Sequence, residues 1–172
     1  MWTPSSQCPF WFFVSEIASS KSRAVAGAMV MPVVGPASAN GVEEGMRQIA
    51  QAARLPIILY QRRLDIMPVD GVIRLCSMEE VVGLKYAVDD LDAFNRINDG
   101  CGTQAAMVCG MAEDPALEYL AAGAVGFSSG MANFAPRTSM AILHRFAGGD
   151  RSGAEALRPR MGAVKSRVVG GR

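Results

Sequence analysis

The sequence predicts an α/β fold built on a parallel sheet. Short runs rich in valine, isoleucine and methionine alternate with alanine-rich stretches in which apolar residues recur with a helical period. The short runs are apolar throughout, as parallel strands are when helices cover both faces of the sheet. The pattern repeats about every 25 residues, close to the ~30 residues of one βαβ unit. Together these observations indicate successive βα units.

Five strands and five helices are expected in alternation. The predicted strands are residues 28–34, 56–60, 81–85, 105–109 and 124–128. The predicted helices are residues 42–53, 68–76, 91–99, 114–122 and 137–147. Proline and glycine residues at the helix ends support these boundaries. Pro115 suits a first helical turn, and Gly123 and Gly148 each follow a predicted helix.

The length of the chain limits how much of a barrel these units form. Five βα units in succession favour a (β/α) barrel, but a closed eight-stranded barrel usually needs about 250 residues and at least ~200. The chain has 172 residues, so we expect a partial TIM (β/α)8 barrel, most of its second half. We divide the chain into an unassigned segment at residues 1–14, the partial barrel at residues 15–150 and a C-terminal helical tail at residues 151–172.

Composition and charge restrict the class of protein. Half of the residues are hydrophobic and the net charge is +1, which predicts a globular chain with one core and no nucleic-acid partner. The longest apolar stretch, residues 9–14, is too short to cross a bilayer, so no membrane partner is expected. Residues 1–7 contain no lysine or arginine, which argues against a secretory signal and favours a cytoplasmic protein. A nucleic-acid patch in the basic tail is the alternative, but that tail contains no aromatic residue.

The cysteines and the histidine predict neither a metal site nor a redox motif. Cys8, Cys76, Cys101 and Cys109 match no zinc knuckle and no Cys-x-x-Cys pair, so reduced thiols are expected. His144 is the single histidine and lies in a helical pattern, where we expect a surface or helix-end residue. We therefore expect no metal site.

Lys85 is the strongest candidate for chemistry. It closes the apolar run at residues 81–84, and Tyr60 closes a matching run one predicted strand earlier. An apolar surrounding disfavours the ammonium form, and a free amine attacks a carbonyl carbon to give a Schiff base. The alternative is a lysine that merely ends a strand in solvent. Barrel active sites lie at the carboxyl ends of the strands, and neighbouring strands are about 4.8 Å apart, so we expect the phenol and the amine to reach one substrate.

Three sequence blocks carry a resemblance to a known family. They read Leu-Pro-Ile-Ile-Leu-Tyr at residues 55–60, Val-Gly-Leu-Lys at residues 82–85 and Ala-Gly-Ala-Val-Gly at residues 122–126. In sequence and spacing they resemble the dihydrodipicolinate synthase and N-acetylneuraminate lyase superfamily. Residues 26–32 look like that family's fourth strand, and residues 41–53 look like the helix that leads into its Leu-Pro-x-x-Leu-Tyr strand. The resemblance implies strands 4 to 8 of a TIM barrel with a C-terminal helical remnant.

Within the superfamily, two segments resemble 5-dehydro-4-deoxyglucarate dehydratases. Residues 127–129 followed by residues 133–136 resemble the loop after their eighth strand, and residues 60–62 resemble their Tyr-Asn-Arg. The chain departs from that pattern at Gln61, which replaces the asparagine, and beside Lys85, where an acidic residue is often present. The resemblance favours a dehydratase of sugar acids.

The resemblance implies a Schiff-base mechanism on a small 2-oxo acid, without a cofactor. Lys85 is expected to add to the C2 carbonyl, and Tyr60 is expected to shuttle protons. The resulting enamine either expels a hydroxyl or attacks an aldehyde, so both dehydration and aldol chemistry stay open. The expected substrate-binding residues are Arg62, Ser128, Ser129 and Asn133.

Each assignment has a structural alternative. Arg62 is alternatively a solvated loop cation, the two serines are strand-end hydrogen-bond partners, and Asn133 caps the helix at Arg137. The acidic residues at positions 89, 90 and 92 suggest a metal cluster, but we prefer their electrostatic role at a helix N-terminus.

The family's Gly-Thr-Thr/Ser-Gly-Glu loop, which binds the substrate carboxylate, does not occur in this sequence, and residues 8–14 do not resemble the family's early strands. A truncated or misread reading frame would explain both departures. An open half sheet exposes strand edges and an apolar face, so we expect a homo-oligomer. Three hypotheses follow: a Schiff-base lyase or dehydratase, an inactive family member that acts as an interaction fragment, and an unrelated α/β binding domain.

Overall fold

The computed structural model describes residues 26–32, 35 and 37–159, and within them strands alternate with helices. The strands are β1 (Ala28–Val30), β2 (Ile57–Gln61), β3 (Val81–Tyr86), β4 (Ala106–Cys109) and β5 (Gly126–Phe127). The α-helices are α1 (Ala39–Ala53), α2 (Val69–Cys76), α3 (Leu91–Cys101), α4 (Ala116–Ala121), α5 (Pro136–Ala147) and α6 (Arg151–Glu155). A 3₁₀ helix, Gly130–Asn133, follows β5. The strands lie in chain order in the sheet.

The predicted alternation is confirmed, and the differences lie at the ends of elements. Helix α1 begins before the predicted residue 42 because Ser38 caps it, its hydroxyl oxygen accepting the Gly41 N–H at 3.2 Å. Helix α4 begins at Ala116, after Pro115. Strand β5 is shorter than predicted because the Ala124 N–H donates to the Tyr119 carbonyl and closes the end of α4. Of the predicted first strand, residues 33 and 34 lie outside the described part of the chain.

The chain divides into two compact units, of which the first comprises Met1–Leu84 and Cys101–Ala105. Within it β1 and β2 pair in parallel, with Ala28 opposite Ile57. The Ile57 N–H donates to the Glu80 carbonyl at 2.7 Å, next to the start of β3. Helices α1 and α2 are joined by Glu43, whose carboxylate accepts two hydrogen bonds from Arg74, at 2.8 and 2.6 Å. Each of these elements also contributes buried apolar side chains, among them Val30, Met46, Leu59, Leu75 and Leu84.

The second unit comprises Lys85–Gly100 and Ala106–Arg172. Strands β4 and β5 pair in parallel, with Cys109 opposite Phe127. The Gly110 N–H donates to the Tyr86 carbonyl at 2.6 Å, and the Ser128 N–H donates to the Cys109 carbonyl at 2.8 Å. These bonds bring the carboxyl ends of β3, β4 and β5 to one edge, where a barrel of this kind holds its active site.

Three aromatic rings form the centre of the second unit. The ring centroids of Tyr86 and Phe94 are 5.4 Å apart, and those of Phe94 and Tyr119 are 5.0 Å apart, both with edge-to-face geometry. Each phenol donates to a backbone carbonyl: Tyr86 to Asp90 at 2.9 Å and Tyr119 to Val88 at 2.8 Å. The cluster therefore anchors the residues that connect β3 to α3.

The fold also tests the predictions for the cysteines and the histidine. Cys76, Cys101 and Cys109 are buried free thiols, as expected, and Cys8 lies outside the described residues. His144 is exposed in the last turn of α5, also as expected. Among the described residues, no group of three or more histidine, cysteine or acidic side chains is arranged to hold a metal ion. No helix in the described part of the chain is long and apolar enough to span a membrane.

Candidate active site

A cavity of about 490 Å³ lies at the carboxyl ends of the strands in the second unit. It is lined by Lys85, Gly110, Met111, Ala112, Ser128, Ser129 and Gly130. The loop after β4 and the loop and 3₁₀ helix after β5 supply every lining residue except Lys85, which β3 supplies. Three predicted site residues, Lys85, Ser128 and Ser129, are therefore brought together.

Lys85 owes its position to the alternation of side chains along β3. Its neighbours Leu84 and Tyr86 are fully buried, whereas Lys85 is half-buried. Successive side chains of a strand point to opposite faces, so the lysine lies on the face opposite those two core residues. An amine held this way, at the mouth of a cavity and beside apolar groups, is placed to meet a carbonyl carbon of a bound ligand.

A buried glutamate behind the cavity was missed by the sequence analysis. Glu113 is only 2% exposed, and its two carboxylate oxygens accept hydrogen bonds from two serines. The Ser129 hydroxyl donates to Oε2 at 2.6 Å, and the Ser139 hydroxyl donates to Oε1 at 2.5 Å. The signal that was available is its place in the loop after a predicted strand, where functional residues concentrate.

Ser129 also has a structural role of the kind considered as its alternative. Its hydroxyl oxygen accepts the Met131 N–H at 3.0 Å and caps the 3₁₀ helix Gly130–Asn133. The side chain is thus held by one donated and one accepted hydrogen bond while the residue lines the cavity. Ser128 is tied to β4 through its backbone N–H. The Ser129 side chain and the Ser128 backbone are consequently held in place.

Tyr60 and Arg62 belong to the first unit and are close to each other. Tyr60 is half-buried in β2, and Arg62 is exposed, with its guanidinium carbon 5.7 Å from the centre of the Tyr60 ring. This is a cation–π contact, which orients the arginine over the ring. The approach of Tyr60 to Lys85 and the substrate-binding role of Arg62 stay predictions.

Gln61, which replaces the family's asparagine, points into the first unit rather than to solvent. It is fully buried, and its Nε2 group donates to the Met67 carbonyl. Its Oε1 atom is buried without a hydrogen-bond partner among the described residues. The residue therefore fixes the loop after β2.

Asn133 is exposed at the end of the 3₁₀ helix, outside the set of residues that line the cavity. Its side-chain amide donates to the Gly130 carbonyl at 3.1 Å. The suggestion that it caps the following helix is wrong, because α5 begins at Pro136 and has Ala135 at its N-cap without a side-chain hydrogen bond. These contacts do not test the predicted substrate-binding role of Asn133, which stays a prediction.

The Asp90 carboxylate and the Cys109 thiol, both in the second unit, have structural rather than catalytic roles. The Asp90 carboxylate accepts the Ala93 N–H at 2.8 Å, so the preferred interpretation of the acidic run as a helix N-terminus is confirmed at this residue. Burial raises the pKa of the Cys109 thiol, an effect that a backbone hydrogen bond to Met111 partly opposes. Because a raised pKa keeps the thiol protonated at neutral pH, Cys109 is a poor nucleophile.

Comparison with known proteins agrees with the family resemblance of the sequence blocks. The family model described as "Dihydrodipicolinate synthetase family" matches residues 17–169. A 4-hydroxy-tetrahydrodipicolinate synthase of Pelagibacter ubique is 34% identical over 122 residues, which cover 69% of this chain and 41% of that protein. A Streptomyces coelicolor protein described as "Probable 5-dehydro-4-deoxyglucarate dehydratase 2" is 33% identical over 132 residues, which cover 75% of this chain and 41% of that protein.

A solved structure extends the comparison to the fold. The dihydrodipicolinate synthase of Oceanobacillus iheyensis superposes with a TM-score of 0.73 at 28% identity and covers 78% of this chain, which in turn covers 45% of that structure. The chain thus spans less than half the length of each of these three proteins. The expected α/β fold, corresponding to part of a TIM barrel, is confirmed. The chain belongs to the dihydrodipicolinate synthetase family.

Proposed function

We propose that this chain carries the Schiff-base lysine of a lyase or dehydratase that acts on a 2-oxo sugar acid, with Lys85 as the reacting amine. One observation above all supports the proposal: Lys85 lines a cavity of about 490 Å³ together with two serines, at the carboxyl ends of the strands. The names of the relatives, a synthase and a dehydratase, agree with lyase chemistry. The dimensions of the cavity suit a small, polar ligand.

The chemistry follows from the amine. The Lys85 nitrogen adds to the C2 carbonyl of the substrate, and loss of water gives an iminium that withdraws electrons from C3. Loss of a C3 proton then gives an enamine, whose electrons expel a C4 hydroxyl, which leaves as water once protonated. Hydrolysis of the remaining imine returns the lysine and completes the dehydration. These steps need no cofactor.

The other residues take supporting roles in this proposal. Tyr60 moves the proton at C3, Arg62 binds a carboxylate as a bidentate donor, and Ser128 binds the substrate from the loop after β5. Asn133 contributes from the end of the 3₁₀ helix. The same enamine attacks an aldehyde in aldol chemistry, so the lysine alone defines the intermediate, and the likeness of residues 127–136 to the dehydratases favours dehydration.

A second function is supported by different observations. The chain spans only about half, or less, of the length of its relatives and lacks the family's carboxylate-binding loop sequence. In the first unit, Met29 of β1, Met31 just after β1 and Val82 of β3 are 48%, 48% and 43% exposed, so large apolar side chains face solvent there. We propose, as the alternative, an inactive family member that binds a second chain through this apolar surface.

The deciding experiment traps the imine. The chain is incubated with pyruvate and, in a separate sample, with a 2-oxo sugar acid, each with borohydride, then digested with trypsin and analysed by mass spectrometry. Reduction of either imine adds to the lysine the mass of the acid less one oxygen atom. Trypsin does not cut after a modified lysine, so an adduct at Lys85 yields a peptide of residues 75–96 that carries this mass.

Two variants provide the controls. Lys85→Ala should abolish the adduct, whereas Lys165→Ala, which removes another of the three lysines, should retain it. Circular dichroism confirms that each protein is folded. A folded wild-type chain with no adduct at Lys85 would refute the enzyme proposal and leave the interaction function.

A further inference from the structure

We infer that Glu113 sets the polarity of the Ser129 hydroxyl, so that the cavity selects 2-oxo acids that carry a hydroxyl group. The inference rests on the proposed function and concerns its specificity. A serine hydroxyl has one proton to donate and two lone pairs that accept. Whether Ser129 donates a hydrogen bond to a ligand or accepts one from it therefore depends on which of these three sites the neighbouring groups already occupy.

Two hydrogen bonds within the chain occupy the proton and one lone pair of the Ser129 hydroxyl. Its one proton is donated to Glu113 Oε2 at 2.6 Å, and one lone pair accepts the Met131 N–H at 3.0 Å. The Ser139 hydroxyl also donates to Glu113, so this side chain is the acceptor in both of its serine contacts. One lone pair remains. Toward a ligand, Ser129 is consequently an acceptor and not a donor.

The arrangement is rigid because Glu113 is held on both sides. Its second oxygen accepts the hydroxyl of Ser139, which is 5% exposed, and Glu113 itself is 2% exposed. Water therefore has little access to compete for the carboxylate. Breaking the Ser129 contact would leave a buried oxygen of Glu113 without its donor, which is costly, so the Ser129 hydroxyl keeps donating to Glu113 when a ligand enters.

This polarity has a consequence for the ligand. The carboxylate and the carbonyl of a 2-oxo acid are acceptors, so Ser129 offers them no proton. A hydroxyl group of the substrate is a donor, so it can donate a hydrogen bond to the remaining lone pair of Ser129. Pyruvate has no such hydroxyl, whereas a sugar acid has several. The geometry thus points to Ser129 as the residue that distinguishes hydroxylated acids, with Glu113 as its positioning residue.

The test compares two acids that differ by one hydroxyl, 2-oxopentanoate and 4-hydroxy-2-oxopentanoate. For each acid, the concentration that gives half-maximal borohydride-trapped adduct at Lys85 is measured, with all adducts at that lysine counted. The ratio of the two concentrations is taken on one folded sample, so a loss of stability cancels. The wild-type chain should favour the hydroxylated acid by about tenfold, the effect of one hydrogen bond.

Three variants separate the roles. Ser129→Ala should bring the ratio of the two half-maximal concentrations close to one. Glu113→Met should do the same, because methionine has a similar volume but accepts no strong hydrogen bond, which leaves the Ser129 proton available to either acid. Ser139→Ala is the matched control, because it removes the other partner of Glu113 and leaves the Ser129 contact intact, so the ratio should persist. If Glu113→Met does not fold, the comparison of Ser129→Ala with Ser139→Ala decides.

The outcomes distinguish this inference from the proposed function. Adducts at Lys85 without a preference in the wild-type chain, or with a preference that survives in Ser129→Ala or in folded Glu113→Met, would overturn the inference and leave the lysine chemistry intact. No adduct at Lys85 with either acid would overturn both.

Discussion

At the scale of single residues, the buried phenols connect stability to pH. Tyr86 is fully buried, and burial, followed by the negative charge of Asp90, raises its pKa above the ordinary value. Burial raises the pKa of Tyr119 as well. In both residues the neutral phenol is favoured in the folded chain, because the phenolate would lose its water. In the unfolded chain both phenols titrate near pH 10.

We therefore expect the free energy of unfolding to decline at alkaline pH. Above about pH 10 the unfolded chain has released the phenol protons that the folded chain still binds, so stability is complete below the unfolded pKa and is lost as the pH rises toward the folded value. Urea unfolding at several pH values measures this decline, and absorbance at 295 nm follows the phenols.

The variant Tyr86→Phe tests the cause. It removes the hydrogen bond to the Asp90 carbonyl, so at neutral pH it should lower the stability by about 1 kcal/mol. Because it also removes a titrating group, its stability should decline less steeply with pH than that of the wild-type chain. Equal slopes for both proteins would contradict the assignment. The raised pKa of Cys109 contributes to both slopes alike.

At the scale of elements, the contact between β3 and the loop after β4 depends on one glycine. A Cβ atom added at Gly110 would lie 2.7 Å from the Ala87 Cβ and 3.0 Å from the Tyr86 carbonyl oxygen. Gly110 also donates the hydrogen bond that joins these elements and lines the cavity beside Lys85. A side chain there would push the two backbone segments apart.

Gly110→Ala should therefore destabilise the fold by roughly 1–3 kcal/mol, the usual cost of overpacking. It should also reduce trapping at Lys85, because the lysine and this glycine line one cavity. Gly126→Ala is the matched control: an added Cβ meets no atom within 4 Å there. Urea unfolding and imine trapping give the two readouts. Equal stabilities of the two variants would show that the close approach is unimportant.

At the scale of the whole molecule, the chain should associate with itself. Met29 and Met31 are both 48% exposed in the first unit, and large apolar surface favours association in water. Sedimentation velocity over a wide range of concentrations should show species heavier than the 18.3 kDa monomer. Replacing both methionines by glutamine should shift the distribution toward the monomer.

The matched control for association is Met140→Gln. Met140 is also 48% exposed but lies on helix α5 of the second unit, so its replacement should leave the distribution unchanged. A wild-type chain that is monomeric at every concentration would contradict the expected homo-oligomer and weaken the interaction function.

The sequence alone determined the alternation of strands and helices, because apolar periodicity and glycine or proline punctuation are local properties of the chain. It also marked Lys85 as a candidate, because this lysine closes a predicted strand, and the family resemblance added the two serines after β5. It did not reveal Glu113, because a place in the loop after a predicted strand does not by itself mark an acidic residue that becomes buried. Only the tertiary structure, which brings the loops after β4 and β5 together, gives that carboxylate two hydroxyl partners. Burial and hydrogen bonding between distant segments are properties of packing.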